Sequence, residues 1–130
     1  MHVGPPHDIA TAAITWDVAR VEARLRDAGF TSVREGEDVR QPFMSAPGAR
    51  LRIAIGASGH AEVQAFVYED LVARGRDTGR LDTVRVAPPT MMISWRVTPS
   101  LIVDNNLALI VLASDTTLRV RIRRAITGGP

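Results

Sequence analysis

Val18, Val21, Leu25 and Ala28 recur at helical spacing, which predicts an amphipathic helix that begins at Thr15 as N-cap. Asp17 falls in its first turn, and Gly29 stands where a left-handed residue closes a helix. Phe30, just beyond, is expected to fold back onto the helix end. The pattern then changes to period two. Residues 31–34 read as a short strand, residues 35–38 as a turn, and Leu51, Ile53 and Ile55 alternate with Arg52 and Ala54. After the Gly56-Ala57-Ser58-Gly59 turn, Val63, Ala65 and Val67 share one face while Gln64, Phe66 and Tyr68 share the other, so the two runs predict a hairpin. Residues 39–48 carry Pro42 and Pro47, which have no amide to give to a ladder, and are expected to run as a covering loop.

In the second half, Asp70 can cap a helix over residues 71–80, weakened by Gly75 and Gly79. Pro88 and Pro89 break the chain. Residues 90–97 alternate again, Met91, Ile93 and Trp95 against Met92 and Ser94, and are expected to form a strand. Residues 101–103 and 107–113 flank Asp104-Asn105-Asn106, a trio that tolerates the left-handed backbone of a tight turn, so they predict a second hairpin whose later strand is interior. The tail alternates over residues 118–123, yet Leu118, Ile122, Ala125 and Ile126 also form a helical stripe, with Ser114 or Asp115 as cap. Arginines toward its end suit the negative pole of a helix, so helix is predicted. The order α-β-β-β-α-β-β-β-α predicts an α+β two-layer sandwich, a mainly antiparallel sheet with helices on one face. Residues 1–14 are read as a flexible leader, 15–127 as a single domain and 128–130 as a tail.

Composition narrows the function classes. A chain of 130 residues, 45% hydrophobic and 23% charged, can bury one core and has no room for two domains. The absence of cysteine removes disulfides, thiolate zinc sites and cysteine nucleophiles. The longest apolar run, residues 107–113, falls far short of the about 20 residues that a membrane span requires, so no transmembrane segment is expected. Nor does the leader show the basic-then-apolar layout of a secretory signal. Every one of the 16 basic side chains is arginine, and the high isoelectric point follows from how little else titrates at alkaline pH, not from a large charge excess. Residues 116–130 nevertheless hold four arginines and no acid.

Candidate chemistry is sparse. His2, His7 and His60 show no metal-ligand spacing, so neither a metal nor a cofactor is implied. Ser45 and Ser58 lack a nucleophile-elbow glycine pattern, and the Gly56 to Gly59 turn lacks the Lys-Ser/Thr of a phosphate loop. Glu35, Glu37 and Asp38, or Glu69 and Asp70, could serve as acid and base, but turn and helix-cap positions already give acidic residues a structural use. A small hydrolase using a carboxylate or His60 is therefore the alternative reading. Arg119, Arg121, Arg123 and Arg124 offer a second one, nucleic acid or an anionic surface, although no aromatics interleave with them and a solvated helix face accounts for them. The leading reading is a noncatalytic binding or interaction module. Helices on one face leave the other lightly covered, and Gln41, Phe43, Gln64, Tyr68 and Trp95 are the residues expected to gather there around a protein or small-molecule ligand, self-association included.

Three segments carry a resemblance. The stretch Gln41-Pro42-Phe43-Met44-Ser45-Ala46-Pro47-Gly48, the run Val63-Gln64-Ala65-Phe66-Val67-Tyr68 before a helix, and Trp95 followed by Thr98-Pro99 and an apolar strand occur in that order. Together they resemble a family of small uncharacterised bacterial lipoprotein-type domains with Q-P-F-x-S-x-P-G, V-Q-V-x-x-Y and T-P-H-F segments. Ser100 and Leu101 stand where that pattern has His and Phe, and no lipid-acceptor cysteine is present. The resemblance spans roughly residues 18 to 126 and implies an extracytoplasmic, surface-tethered origin with no defined activity.

Overall fold

The computed structural model describes residues 15–57 and 59–128. The leader expected over 1–14, with His2 and His7, lies outside the described residues, as do Ser58 and residues 129–130 of the expected tail.

The first helix, α1 (Val18–Asp27), starts two residues later than expected. Asp17, not Thr15, is its cap: the Asp17 carboxylate accepts the Arg20 amide at 2.7 Å. A carboxylate there both satisfies a free amide and complements the positive end of the helix dipole. At the other end Gly29 sits at φ 96°, its amide donates to the Arg26 carbonyl at 2.9 Å, and the Phe30 amide donates to the Leu25 carbonyl at 3.0 Å. This is the Schellman closure that the glycine predicted, and Phe30 is buried in the cluster that holds Leu25.

There follow β1 (Thr31–Arg34), β2 (Gly48–Ile55), β3 (Gly59–Val67), α2 (Leu71–Thr78), β4 (Pro99–Asp104), β5 (Leu107–Leu112) and α3 (Thr116–Thr127). The strands form one antiparallel sheet in the order β1-β2-β3-β5-β4, so β3 is central and the late hairpin returns to pair with it. Leu51 faces Val63, which faces Val111, and Leu109 faces Ile102. Asn105 takes the left-handed conformation, φ 50°, in the β4–β5 turn. Asp70 and Asp115 cap α2 and α3. The architecture is the α+β sandwich expected, with one strand fewer. Residues 90–97 join no ladder: bracketed by prolines, they lie over a sheet face, with Met91, Ile93 and Trp95 half-buried against its apolar cluster and Met92 and Ser94 exposed. Period-two alternation is a property of extended backbone, whether or not its amides find a partner strand.

Each sheet face has its own apolar cluster. On one, Leu51, Ile53, Val63, Leu109 and Val111 meet Val21 and Leu25 of α1 and Leu118, Ile122 and Ile126 of α3. Arg24 fastens the two helices: its guanidinium donates to the Ala125 and Ile126 carbonyls, each at 3.3 Å, and lies over the Trp16 ring. On the other face Phe66, Ala108 and Ile110 are covered by Val39, Phe43 and Met44 of the proline loop and by Leu81 and Val86, and Ala73 of α2 packs at the margin. The proline segment is thus the covering loop that was expected.

Gly48 marks where that loop enters β2. A methyl group at this position would come within 2.5 Å of the Phe66 ring, which is fully buried. Gly48→Ala is therefore expected to destabilise the protein by about 2 kcal/mol through overpacking, and a urea titration with an unchanged slope and a lowered midpoint is the check.

Candidate functional site

Beside the loop-covered part of the second face lies an open groove of about 880 Å³. Its lining includes Arg50 and Arg52 from β2, His60, Glu62 and Gln64 from β3, and Trp95 and Arg96 from the unladdered segment 90–97. Strand alternation puts Arg50 and Arg52 here, because Leu51 and Ile53 occupy the helical face. Glu35 pairs with Arg52, and Glu62 lies 3.5 Å from Arg50.

Gln64 is buried, and both ends of its amide are used. Its carbonyl oxygen accepts from Gln41 Nε2 at 2.9 Å, and its own Nε2 donates to the Glu62 carboxylate at 2.8 Å. Trp95 is fixed by two contacts. Its indole N–H donates to the Arg85 carbonyl at 2.8 Å, and Phe43 meets it edge to face with ring centroids 6.3 Å apart. Arg85 belongs to a tight turn that the Asp82 carboxylate holds through the Arg85 and Val84 amides, and these hydrogen bonds draw the Asp82 pKa below the ordinary carboxylate range. The next residue, Val86, is fully buried at φ 52°. For a β-branched side chain that backbone costs about 1–3 kcal/mol, and the buried cluster around it supplies the restraint.

Of the five residues expected to gather, Gln64 and Trp95 line the groove, with Gln41 and Phe43 bound directly behind them. Tyr68 goes elsewhere. It is buried at the junction of β3, α2 and the proline loop, where its hydroxyl donates to the Asp77 carboxylate at 2.8 Å. The same Asp77 oxygen accepts the Ser45 amide at 2.6 Å and the Ser45 hydroxyl at 2.8 Å. Burial alone would raise the Asp77 pKa, but the Ser45 and Tyr68 hydrogen bonds and the Arg80 charge together outweigh it and hold the pKa below its ordinary value. Tyr68 is pushed up, first by burial and then by its bond to Asp77. Asp77 thus ties three segments together as an ionised acceptor.

The four arginines of the last helix do not meet on one face. Arg119 donates to the Ala113 carbonyl and Arg123 to the Leu101 carbonyl, both toward the sheet edge, whereas Arg121 lies 5.9 Å from the Phe30 ring on the side of α1. Arg121 and Arg124 border a small recess there with Ala28 and Ala125. His60 and Glu62 do line one groove, but Asp70 is occupied as a helix cap and Glu69 is exposed. Among the described residues, no group of three or more His, Asp or Glu side chains is placed to hold a metal ion, and no helix is long and apolar enough to cross a membrane.

Arg50, Arg52, Glu62 and Arg96 escaped the sequence reading of the site, and Glu35 entered it only as a candidate acid or base. Alternation in β2 was a usable signal for Arg50 and Arg52; nothing in the local pattern marked Arg96. No family model matches the chain, and comparison with curated proteins and with solved structures returns no match.

Proposed function

We propose that this protein is a noncatalytic binding module whose ligand, a protein segment or a small molecule, lies in the groove over β2 and β3. What supports this most is that one concave surface is lined by Gln64 and Trp95, side chains from distant segments that are each held by partners behind them. Fixing such groups before a ligand arrives lowers the ordering cost of binding. The volume lies in the range of sites for drug-sized ligands. The carboxylates in the groove, Glu35 and Glu62, are engaged by arginines, an arrangement that serves recognition better than proton transfer. An extracytoplasmic setting, implied by the resemblance to lipoprotein-type domains, belongs to the same proposal.

The test is a melting screen against pools of peptides, glycans and small molecules, with light scattering to detect self-association. At a hundredfold excess over its dissociation constant, a ligand adds about 2.7 kcal/mol to folding stability. The expected result is a shift in the wild type that is lost in Trp95→Ala and in Ser94→Trp, an uncharged substitution at an exposed residue that fills the groove without touching the core. An equal shift in both variants, or none in the wild type, overturns the proposal.

A further inference from the structure

We infer that the groove takes an organic anion, a carboxylate or phosphate joined to a flat or apolar body; this rests on the binding reading above and specifies the chemistry of its ligand. The charges in the groove do not balance. Three arginines line it against two glutamates, and each glutamate is engaged, Glu35 by Arg52 and Glu62 by Arg50. Arg96 forms no ion pair among the described residues and is exposed to the groove's solvent. Glu62 is a divided partner for Arg50: the oxygen that lies 3.5 Å from Arg50 Nε also accepts the Gln64 amide at 2.8 Å. Arg50 Nε is itself buried and makes no hydrogen bond. The wall therefore presents guanidinium groups whose donor capacity exceeds the acceptors the protein supplies, and planar guanidinium suits carboxylate and phosphate oxygens in paired hydrogen bonds.

The rest of the ligand is set by the same wall. Trp95 and Val97 are half-buried groove residues on the segment that carries Arg96, and Leu112 adds an apolar side chain from β5. Because Phe43 and the Arg85 carbonyl fix the indole, its ring is a rigid surface for a flat body to lie against. Arg96 and Trp95 line the same groove, so an anion held by Arg96 has the indole within the same concave surface for its body.

The experiment is calorimetric titration of the full chain with indole-3-acetate, benzoate and phenyl phosphate, set against indole-3-acetamide and benzamide as neutral counterparts. The acids are expected to bind roughly tenfold or more tightly than the matching amides, and Arg96→Gln is expected to erase that preference while circular dichroism stays unchanged. Tighter binding of phenyl phosphate than of benzoate would identify phosphate as the favoured head group; the reverse would identify carboxylate. Amides that bind as well as acids overturn the anion inference and leave the groove intact as a site. Acid binding that survives both Arg96→Gln and Trp95→Ala overturns the groove as well, and the absence of binding by every acid overturns the inference.

Discussion

Asp77→Ala is expected to lower the stability of the protein by about 3 kcal/mol, a fall of about 10 °C in the melting midpoint. Asp77 is 5% exposed and accepts hydrogen bonds from the Ser45 amide, the Ser45 hydroxyl and the Tyr68 hydroxyl. Removing the acceptor ends three hydrogen bonds to a charged group and strands the buried Tyr68 hydroxyl, whereas the amide and hydroxyl of Ser45, an exposed residue, can turn to water. Tyr68→Phe removes one donor and leaves the Ser45 pair, so its expected cost is about 1 kcal/mol. The pH dependence follows from the two acidities. Asp77 is held low in the folded chain, so its contribution is present above the ordinary aspartate value, about pH 4, and fades as the pH falls through the folded value. The gap between wild type and Asp77→Ala should close in acid. Tyr68 is held high, so the stability it adds is complete below about pH 10 and declines as the pH rises beyond that. Denaturant titrations from pH 3 to pH 10.5 test the whole account; a wild-type advantage that is the same at pH 3 and pH 7 would remove the carboxylate from it.

The second large effect concerns Asn106, which is 4% exposed in the β4–β5 turn. Its side-chain oxygen accepts the Trp16 amide at 2.7 Å, and its Nδ2 donates to the Trp16 carbonyl at 3.1 Å and to the Tyr68 carbonyl at 2.9 Å. Its backbone carbonyl takes the Tyr68 amide at 2.8 Å. One amide side chain thereby joins the entry to α1, the end of β3 and the late hairpin. Asn106→Ala leaves two carbonyls and one amide without partners, and the expected loss is about 3 kcal/mol. Asn106→Asp is the sharper probe, since it keeps the shape while turning the donor into an oxygen that faces both carbonyls. At neutral pH it should be at least as damaging as alanine, and it should recover part of the loss in acid, where a protonated carboxyl can donate again. Equal stability of Asn106→Asp and wild type at pH 7 would mean that the polar pairing contributes nothing.

The framework of the fold could be read from periodicity because most of its elements have one dry face and one wet face. The helical stripe of Leu118, Ile122 and Ile126 and the alternation of Val63 and Ala65 each specify both an element and the side it buries. The cap of α1 moved to Asp17 because two residues nearby could serve, and only geometry separates them. Residues 90–97 were misplaced for a deeper reason. Their alternation reports burial on a sheet face, whereas strand membership depends on amide partners that lie far away in sequence. The site was partly legible. Gln64 and Trp95 could be found as polar and aromatic groups on the face that helices leave open. The ion pairs around them could not: alternation places Arg50 and Arg52 on that face, but which glutamate each one meets depends on strand register. The link from Tyr68 to Asp77 and Ser45 crosses three segments and leaves no trace in any local window.

Two kinds of chain build the groove, and they answer differently to change. Its floor is ladder-bound strand, where Arg52, Glu62 and Gln64 each have a partner on both sides and a shift of one position would turn the interior out. Its outer wall is ribbon without a ladder, held by a few contacts such as the Arg85 carbonyl and the edge of Phe43. Insertions and replacements in that ribbon can alter what is recognised while the scaffold beneath keeps its pairing, the division of labour by which one rigid platform comes to serve many specificities.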